Sequence, residues 1–136
     1  MAHDVFISYS TVAKSIADAV CAGLEAAGLR CWIAPRDIRP GEDWPSAFVS
    51  AITASRLMVL IFSQSSNTSP EVPKEVNLAL GAKVSVIPFK IDDVIPHGAL
   101  QYYLAGTHWL NALDGPTAEN IQKLVTTARA IAPIEA

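Results

Sequence analysis

Apolar positions recur along the chain with two different periods. Short β-branched or aromatic runs predict buried strands, and stretches with apolar residues three and four positions apart predict amphipathic helices. The predicted strands cover residues 5–7, 29–33, 56–62, 84–91 and, more weakly, 107–110. The predicted helices cover 12–27, 45–54, 71–81 and 117–131, with a short helical piece near 100–104 in an otherwise irregular segment, 92–106.

Glycine and proline mark the ends of several of these elements. Gly28 can end the first helix, because it tolerates left-handed backbone angles, and Pro45 suits the first turn of the second. Strands that alternate with helices predict an α/β fold, here a flavodoxin-like, doubly wound, five-stranded parallel sheet with helices on both faces. Ligands of such sheets bind at the carboxyl ends of the strands. This rule selects residues 8–10, 34–45, 63–69 and the turn after Lys90.

Composition and length narrow the class of protein. The 136 residues predict a single domain, 1–136, and a net charge of −3 argues against direct nucleic-acid binding. The longest strongly apolar run, 57–62, is far shorter than the roughly 20 residues of a membrane span, and residues 1–4 do not resemble the start of a secretory signal. We therefore expect a cytoplasmic domain that does not enter a membrane.

Several kinds of site are absent from the sequence. No glycine-rich phosphate loop or nucleophile elbow follows a predicted strand, which disfavours dinucleotide dehydrogenases, nucleotide triphosphatases and serine hydrolases. A phosphate-accepting receiver domain needs acidic residues where this chain has Ser8 and Ser63. Cys21 and Cys31 lack close metal-ligand spacing and the histidines are dispersed, so we expect no metal site and two buried thiols.

Four segments resemble the sequence boxes of the Toll/interleukin receptor (TIR) domain family and follow the family's order. They are DVFISYS at 4–10, CWIAPRDIRPGEDW at 31–44, SRLMVLIFS at 55–63 and KEVNLA at 74–79. The resemblance extends from Asp4 to about Ile131 and is closest to bacterial members, many of which are antiviral effectors. The sequence has no obvious sensor region, and residues 133–136, which lie outside those that the structure describes, read like the start of a linker. We therefore expect a TIR-like domain that is part of a longer protein, with a sensor domain in the same or an associated chain.

The resemblance implies two possible functions. Many bacterial and plant members cleave the bond between nicotinamide and ribose in NAD⁺, whereas many animal members are non-catalytic scaffolds that bind other TIR domains. In the enzymes the key residue is a glutamate early in the helix after the third strand, and Glu75 occupies that position. The substrate would be NAD⁺, with no additional cofactor.

A single carboxylate suits this reaction. The nicotinamide of NAD⁺ is already cationic and departs neutral, so no general acid is needed, and a fixed negative charge can stabilise the cation left on the ribose. The alternative is that Glu75 is a solvated residue in a helix's first turn. Many active relatives carry a tryptophan one turn earlier, where this chain has Glu71, which leaves the scaffold alternative open.

Other residues are candidates for substrate contact or for self-assembly. Arginine donates to phosphate in a fixed fork, and serine hydroxyls can donate to ribose or phosphate. The candidate substrate-binding residues are Ser8, Ser10, Arg36, Asp37, Arg39 and Trp44. By resemblance, the loop after the second strand also makes head-to-tail contacts between copies, and its candidate residues are Ile38, Pro40, Gly41 and Trp44. The alternatives are a solvated, charge-balanced loop, ordinary strand-end serines and a tryptophan that packs the second helix.

Overall fold

The computed structural model describes residues 3–131 and contains a five-stranded parallel sheet in the order β2-β1-β3-β4-β5. The strands are β1 Val5–Ser8, β2 Cys31–Trp32, β3 Leu57–Phe62, β4 Ser85–Lys90 and β5 Leu110–Asn111. The helices are α1 Lys14–Ala26, α2 Trp44–Ala54, α3 Val72–Gly81, α4 Ala99–Tyr103 and α5 Ala118–Ile131, with 3-10 helices at Thr11–Ala13 and Gln64–Thr68. This strand order is that of flavodoxin-like folds, which confirms the predicted fold class.

The two faces of the sheet pack against different helices. Val5 and Ile7 of β1 pack in the core with α1 and α5, whereas Phe6 packs with α2, α3 and α4. This division follows from the two-residue period of a strand, which sends neighbouring side chains to opposite faces. β3 is buried at every position, as its unbroken apolar sequence predicts.

The direction of winding reverses at β1. Val5 is in register with Cys31 of β2 on one side and with Leu57 of β3 on the other. The chain adds β2 at one side of β1 and then crosses over to add β3 at the other side. The carboxyl ends of β1 and β3 therefore form the topological switch point, where ligands of such sheets bind.

Local polar contacts account for three of the differences from the predicted boundaries. α2 begins at Trp44, one residue early, because the Asp43 side chain caps it by accepting from the backbone N–H of Ser46. The predicted loop 63–69 contains a 3-10 helix, since Ser63 and Ser66 form a capping box. β5 lies at 110–111 instead of 107–110, because Thr107 bonds back to the Leu104 carbonyl at the end of α4.

No helix within residues 3–131 has both the length and the apolar character needed to cross a membrane.

Candidate active site

Glu75 lies in the first turn of α3 with its side chain directed at the sheet. The buried positions of α3 are Val72, Glu75, Val76 and Ala79, so the carboxyl shares the face that packs on the core. Only 9% of Glu75 is exposed, and Ser8 Oγ donates a 2.8 Å hydrogen bond to Glu75 Oε1. Because Ser8 ends β1, the pair lies at the switch point. The alternative of a solvated glutamate does not fit this burial.

The surroundings of Glu75 favour its neutral form. Burial raises the pKa of Glu75 to about 7, the hydrogen bond from Ser8 opposes the rise, and the negative charge of Glu71 adds to it. The helix N-terminus favours ionisation, as expected from the sequence, but burial has the larger effect. The carboxyl therefore titrates near neutral pH, as groups that exchange charge during catalysis often do.

We expect Ser8→Ala to raise the pKa of Glu75 by about 1, because the ionised carboxylate loses its one side-chain donor. Titration of the ¹³C-labelled carboxyl by NMR measures the change. Ser10→Ala is the matched control, since Ser10 donates to Ser65 and not to Glu75. An unchanged titration in Ser8→Ala would show that the hydrogen bond does not influence Glu75.

A group of hydroxyls lies beside the Ser8–Glu75 pair. Ser10 Oγ donates to Ser65 Oγ at 2.8 Å, and Ser65 Oγ lies 2.7 Å from Ser63 Oγ. These serines follow the ends of β1 and β3, so the group can present donors and acceptors to a ribose or phosphate. The sequence pointed to the segment 63–69 but did not single out Ser63 or Ser65. The serine-rich segment that directly follows the buried strand β3 was the sequence signal that could have identified these two residues.

The loop between β2 and α2 (residues 33–43, the second-box loop) begins at the same edge of the sheet as Glu75. The Tyr9 hydroxyl donates a 2.5 Å hydrogen bond to the Ala34 carbonyl, and this ties the loop to the residue after Ser8. The pKa of Tyr9 is raised, chiefly by burial, and the nearby negative charge of Glu75 contributes. The start of the loop is thus anchored to Tyr9, the residue that follows the Glu75 partner Ser8.

Arg36 and Asp37 are turned away from Glu75. The Arg36 guanidinium makes two 2.9 Å bonds to Glu25 on α1, a 3.0 Å bond to the Cys31 carbonyl and further bonds to Asp37. Asp37 also accepts from the backbone N–H of Ile33. α1 packs on the opposite face of the sheet from α3. These two residues therefore brace the second-box loop against α1, and the structure does not bring them to the Glu75 carboxyl.

The remaining loop candidates are mostly at the surface. Arg39, Pro40 and Gly41 are exposed, and Ile38 is half-buried against the core that contains Phe6. Gly41 has φ +79°, a conformation that disfavours other residues. Trp44 is 53% exposed and stacks on Phe48 with ring centroids 6.4 Å apart, so it packs α2 and still offers a free surface.

A cavity of about 290 Å³ lies at the end of β4, lined in part by Lys90, Ile95, Leu104 and Trp109. Glu75 is not among its lining residues. The cavity therefore does not expose the candidate carboxylate, and the buried Ser8–Glu75 pair remains the better candidate on chemical grounds.

The family model of the TIR domain matches residues 5–125. The chain belongs to the TIR domain family. This confirms the resemblance drawn from the four boxes. No curated protein matches the chain.

Solved structures with the same fold support the assignment. The TIR domains of the activated Roq1 resistosome are 18% identical, with a TM-score of 0.78 over 93% of this chain and 99% of that one. The TIR domain of a Toll-related receptor from Hydra magnipapillata is 20% identical, with a TM-score of 0.72 over 95% and 98%. A CMP N-glycosidase of Clostridium botulinum, BcmB, is 15% identical, with a TM-score of 0.66 over 91% and 98%. At these identities the likeness shows a shared fold.

Proposed function

We propose that this TIR domain cleaves the bond between nicotinamide and ribose in NAD⁺ when several copies assemble, with Glu75 as the catalytic carboxylate. The observation that carries the proposal is the buried Glu75 carboxyl, bonded to Ser8 at the switch point of the sheet. The fold is also shared with an enzyme described as a CMP N-glycosidase, so it can support cleavage of an N-glycosidic bond.

In the proposed reaction the bond between ribose and the nicotinamide nitrogen breaks, and both electrons pass to the nicotinamide ring, which leaves neutral. The ionised Glu75 stabilises the positive charge that forms on the ribose, and this attraction is strong where water is largely excluded. Water or another nucleophile then completes the reaction. Ser8 holds the carboxylate in place, and the hydroxyls of Ser10 and Ser65 are available to orient the ribose or its phosphate.

The single chain keeps Glu75 almost closed to solvent, which favours activation by assembly. A substrate reaches the carboxyl only if neighbouring segments move, and the second-box loop, which begins beside Ser8 and Tyr9, is the candidate segment. A half-exposed tryptophan beside an exposed loop suits contact with a second copy. We further propose that the domain is the effector part of a longer, cytoplasmic antiviral defence protein whose other domain senses the signal.

The direct test is incubation of the purified domain with NAD⁺, followed by chromatography for nicotinamide. The domain is examined alone and as a fusion to an oligomerising partner. We expect release of nicotinamide by the fusion. A fusion that assembles but leaves NAD⁺ intact would instead support the non-catalytic scaffold.

If assembly activates the domain, the rate of nicotinamide release should rise more steeply than linearly with the concentration of the unfused domain. Trp44→Ala should move this steep rise to a higher concentration, because a buried aromatic anchor is commonly worth ~2 kcal/mol at an interface. The control is Leu80→Ala, an exposed apolar position at the far end of α3. Strictly linear rates, or equal effects of both variants, would contradict the role of Trp44.

The scaffold alternative has one specific observation in its favour. Glu71 stands where many active relatives carry a tryptophan, is 67% exposed, and lies 3.8 Å from Lys74 in an ion pair. It does not replace an aromatic stacking surface for the substrate. An assembled domain that binds other TIR domains and has no NAD⁺ turnover would fit this alternative.

A further inference from the structure

The fold brings Cys21, Cys31 and Glu25 together, although the cysteines are ten positions apart in the sequence. One ligand atom from each, the two sulfurs and a carboxylate oxygen, all lie within 4.8 Å of one another. Cys21 and Glu25 are one turn apart on α1, and Cys31 faces them from β2. Both thiols are 3% exposed, and the Glu25 side chain is 38% exposed.

The group has the dimensions and chemistry of a site for a thiophilic cation. Zn²⁺ binds thiolates at about 2.3 Å, so two sulfurs on one ion lie at most ~4.6 Å apart, and the two sulfurs here lie within 4.8 Å of each other. Two thiolates and a carboxylate carry three negative charges, most of which a divalent cation would offset. The remaining coordination position can be taken by water from the exposed side at Glu25.

We infer that Cys21, Cys31 and Glu25 form a binding site for Zn²⁺ or a similar thiophilic divalent cation, in competition with the Arg36–Glu25 ion pair. This inference departs from our expectation, based on spacing, that the chain holds no metal. Binding forms two metal–sulfur bonds and releases two protons to the buffer. It also takes the Glu25 carboxylate from Arg36, since both oxygens of Glu25 now accept from the guanidinium.

The consequence of binding is a looser second-box loop. Arg36 is the residue that connects this loop to α1 through Glu25. When the metal holds Glu25, the loop keeps its contact from Tyr9 to Ala34 but loses the brace on the other face of the sheet. The site would thus regulate the loop independently of whether the domain cleaves NAD⁺.

The test is titration of the untagged, reduced domain with Co²⁺ as a spectroscopic probe, followed by displacement with Zn²⁺. We expect a sulfur-to-Co²⁺ charge-transfer band that saturates at one ion per chain, is lost in Cys21→Ala and Cys31→Ala, and disappears when Zn²⁺ is added. Glu25→Gln should weaken Co²⁺ binding more than about tenfold. Losing a residue that binds the metal directly costs more affinity than losing one that only hydrogen-bonds to such a residue, and the latter already costs about tenfold or more. Arg36→Gln should strengthen it up to about fivefold, the most that an exposed ion pair usually contributes.

Asp18→Asn is the matched control, because Asp18 is also an exposed, ion-paired carboxylate of α1 but bonds to Lys14. It should bind Co²⁺ like the wild type. A wild-type domain without the band, or one whose band and affinity survive Glu25→Gln and both cysteine variants, would overturn the site. Glu25→Gln changes a partly exposed residue, so this arm remains informative if a buried cysteine variant fails to fold.

Hydrogen exchange tests the effect on the loop. Zn²⁺ should speed exchange of the Asp37 and Ile38 amides, which bond within the loop to Ile33 and Pro35. Unchanged or slower exchange at saturating Zn²⁺ would refute the coupling to Arg36.

Discussion

Replacing Glu75 with glutamine is expected to lower nicotinamide release by about a hundredfold to a thousandfold, the range seen when a preorganised group that stabilises transition-state charge is removed. Glutamine keeps the size of the side chain and can still accept from Ser8 Oγ, so the site keeps its shape but loses its negative charge. The measurement is the rate of nicotinamide release by the assembled fusion at saturating NAD⁺. The pH should be above about 7, where the wild-type carboxyl is mostly ionised.

The matched control is Glu71→Gln, one helical turn earlier on α3. Glu71 is 67% exposed and influences Glu75 only through its charge. The rate of nicotinamide release by Glu71→Gln should therefore stay within about twofold of the wild-type rate. The wild-type rate should also rise with pH through about 7, as the Glu75 carboxyl loses its proton. Turnover that survives Glu75→Gln, in a variant shown to assemble, would remove Glu75 from the mechanism.

Glu75→Gln should also make the fold more stable than that of the wild type at high pH. The pKa of Glu75 is about 7 in the folded chain against an ordinary value of 4.5, so the folded state retains a proton that the unfolded state releases. The wild-type free energy of unfolding therefore falls as the pH rises from about 4 to about 8, by about 3 kcal/mol from this group alone. Glutamine has no proton to release in this pH range, so the free energy of unfolding of Glu75→Gln should not show this decrease.

Urea unfolding of the wild type and Glu75→Gln at about pH 4 and about pH 8 measures this difference. The two proteins should differ little at the lower pH, where both side chains are neutral, and by about 3 kcal/mol at the higher pH. Glu71→Gln keeps the Glu75 carboxyl, so its free energy of unfolding should fall with pH much as that of the wild type does. An equal difference between wild type and Glu75→Gln at both pH values would show that Glu75 is not a buried titrating group.

The sequence predicted the architecture because its signals are local. The alternation of apolar runs with helical periodicity identified the five strands and the helices that pack on the sheet, and the carboxyl-end rule selected residues 8–10. Glu75 was identified only through the resemblance to the TIR family. The burial of Glu75 was not predictable from its position alone, since glutamate is common in exposed first turns. The apolar positions 72, 76 and 79 define the buried face, and Glu75 lies within it.

The site contacts that the sequence did not reveal are mostly tertiary. Arg36 was a candidate for phosphate binding because its loop follows a strand, but its partner Glu25 lies on a helix that precedes that strand. The approach of Cys21 to Cys31 likewise depends on how α1 packs against β2. Periodicity identifies which face of a helix is buried. It does not identify which polar side chain from another element contacts the edge of that face.

The brevity of β2 and β5 also restricts how copies of the domain can join. Each is a border strand that pairs with its neighbour through only two residue positions. Such short edge strands present few unpaired backbone N–H and C=O groups with which a strand of another copy could pair. Short edge strands are one way in which proteins avoid uncontrolled aggregation. Any ordered array of this domain must then be held by side chains on its loops and helices, which allows such contacts to be reversible.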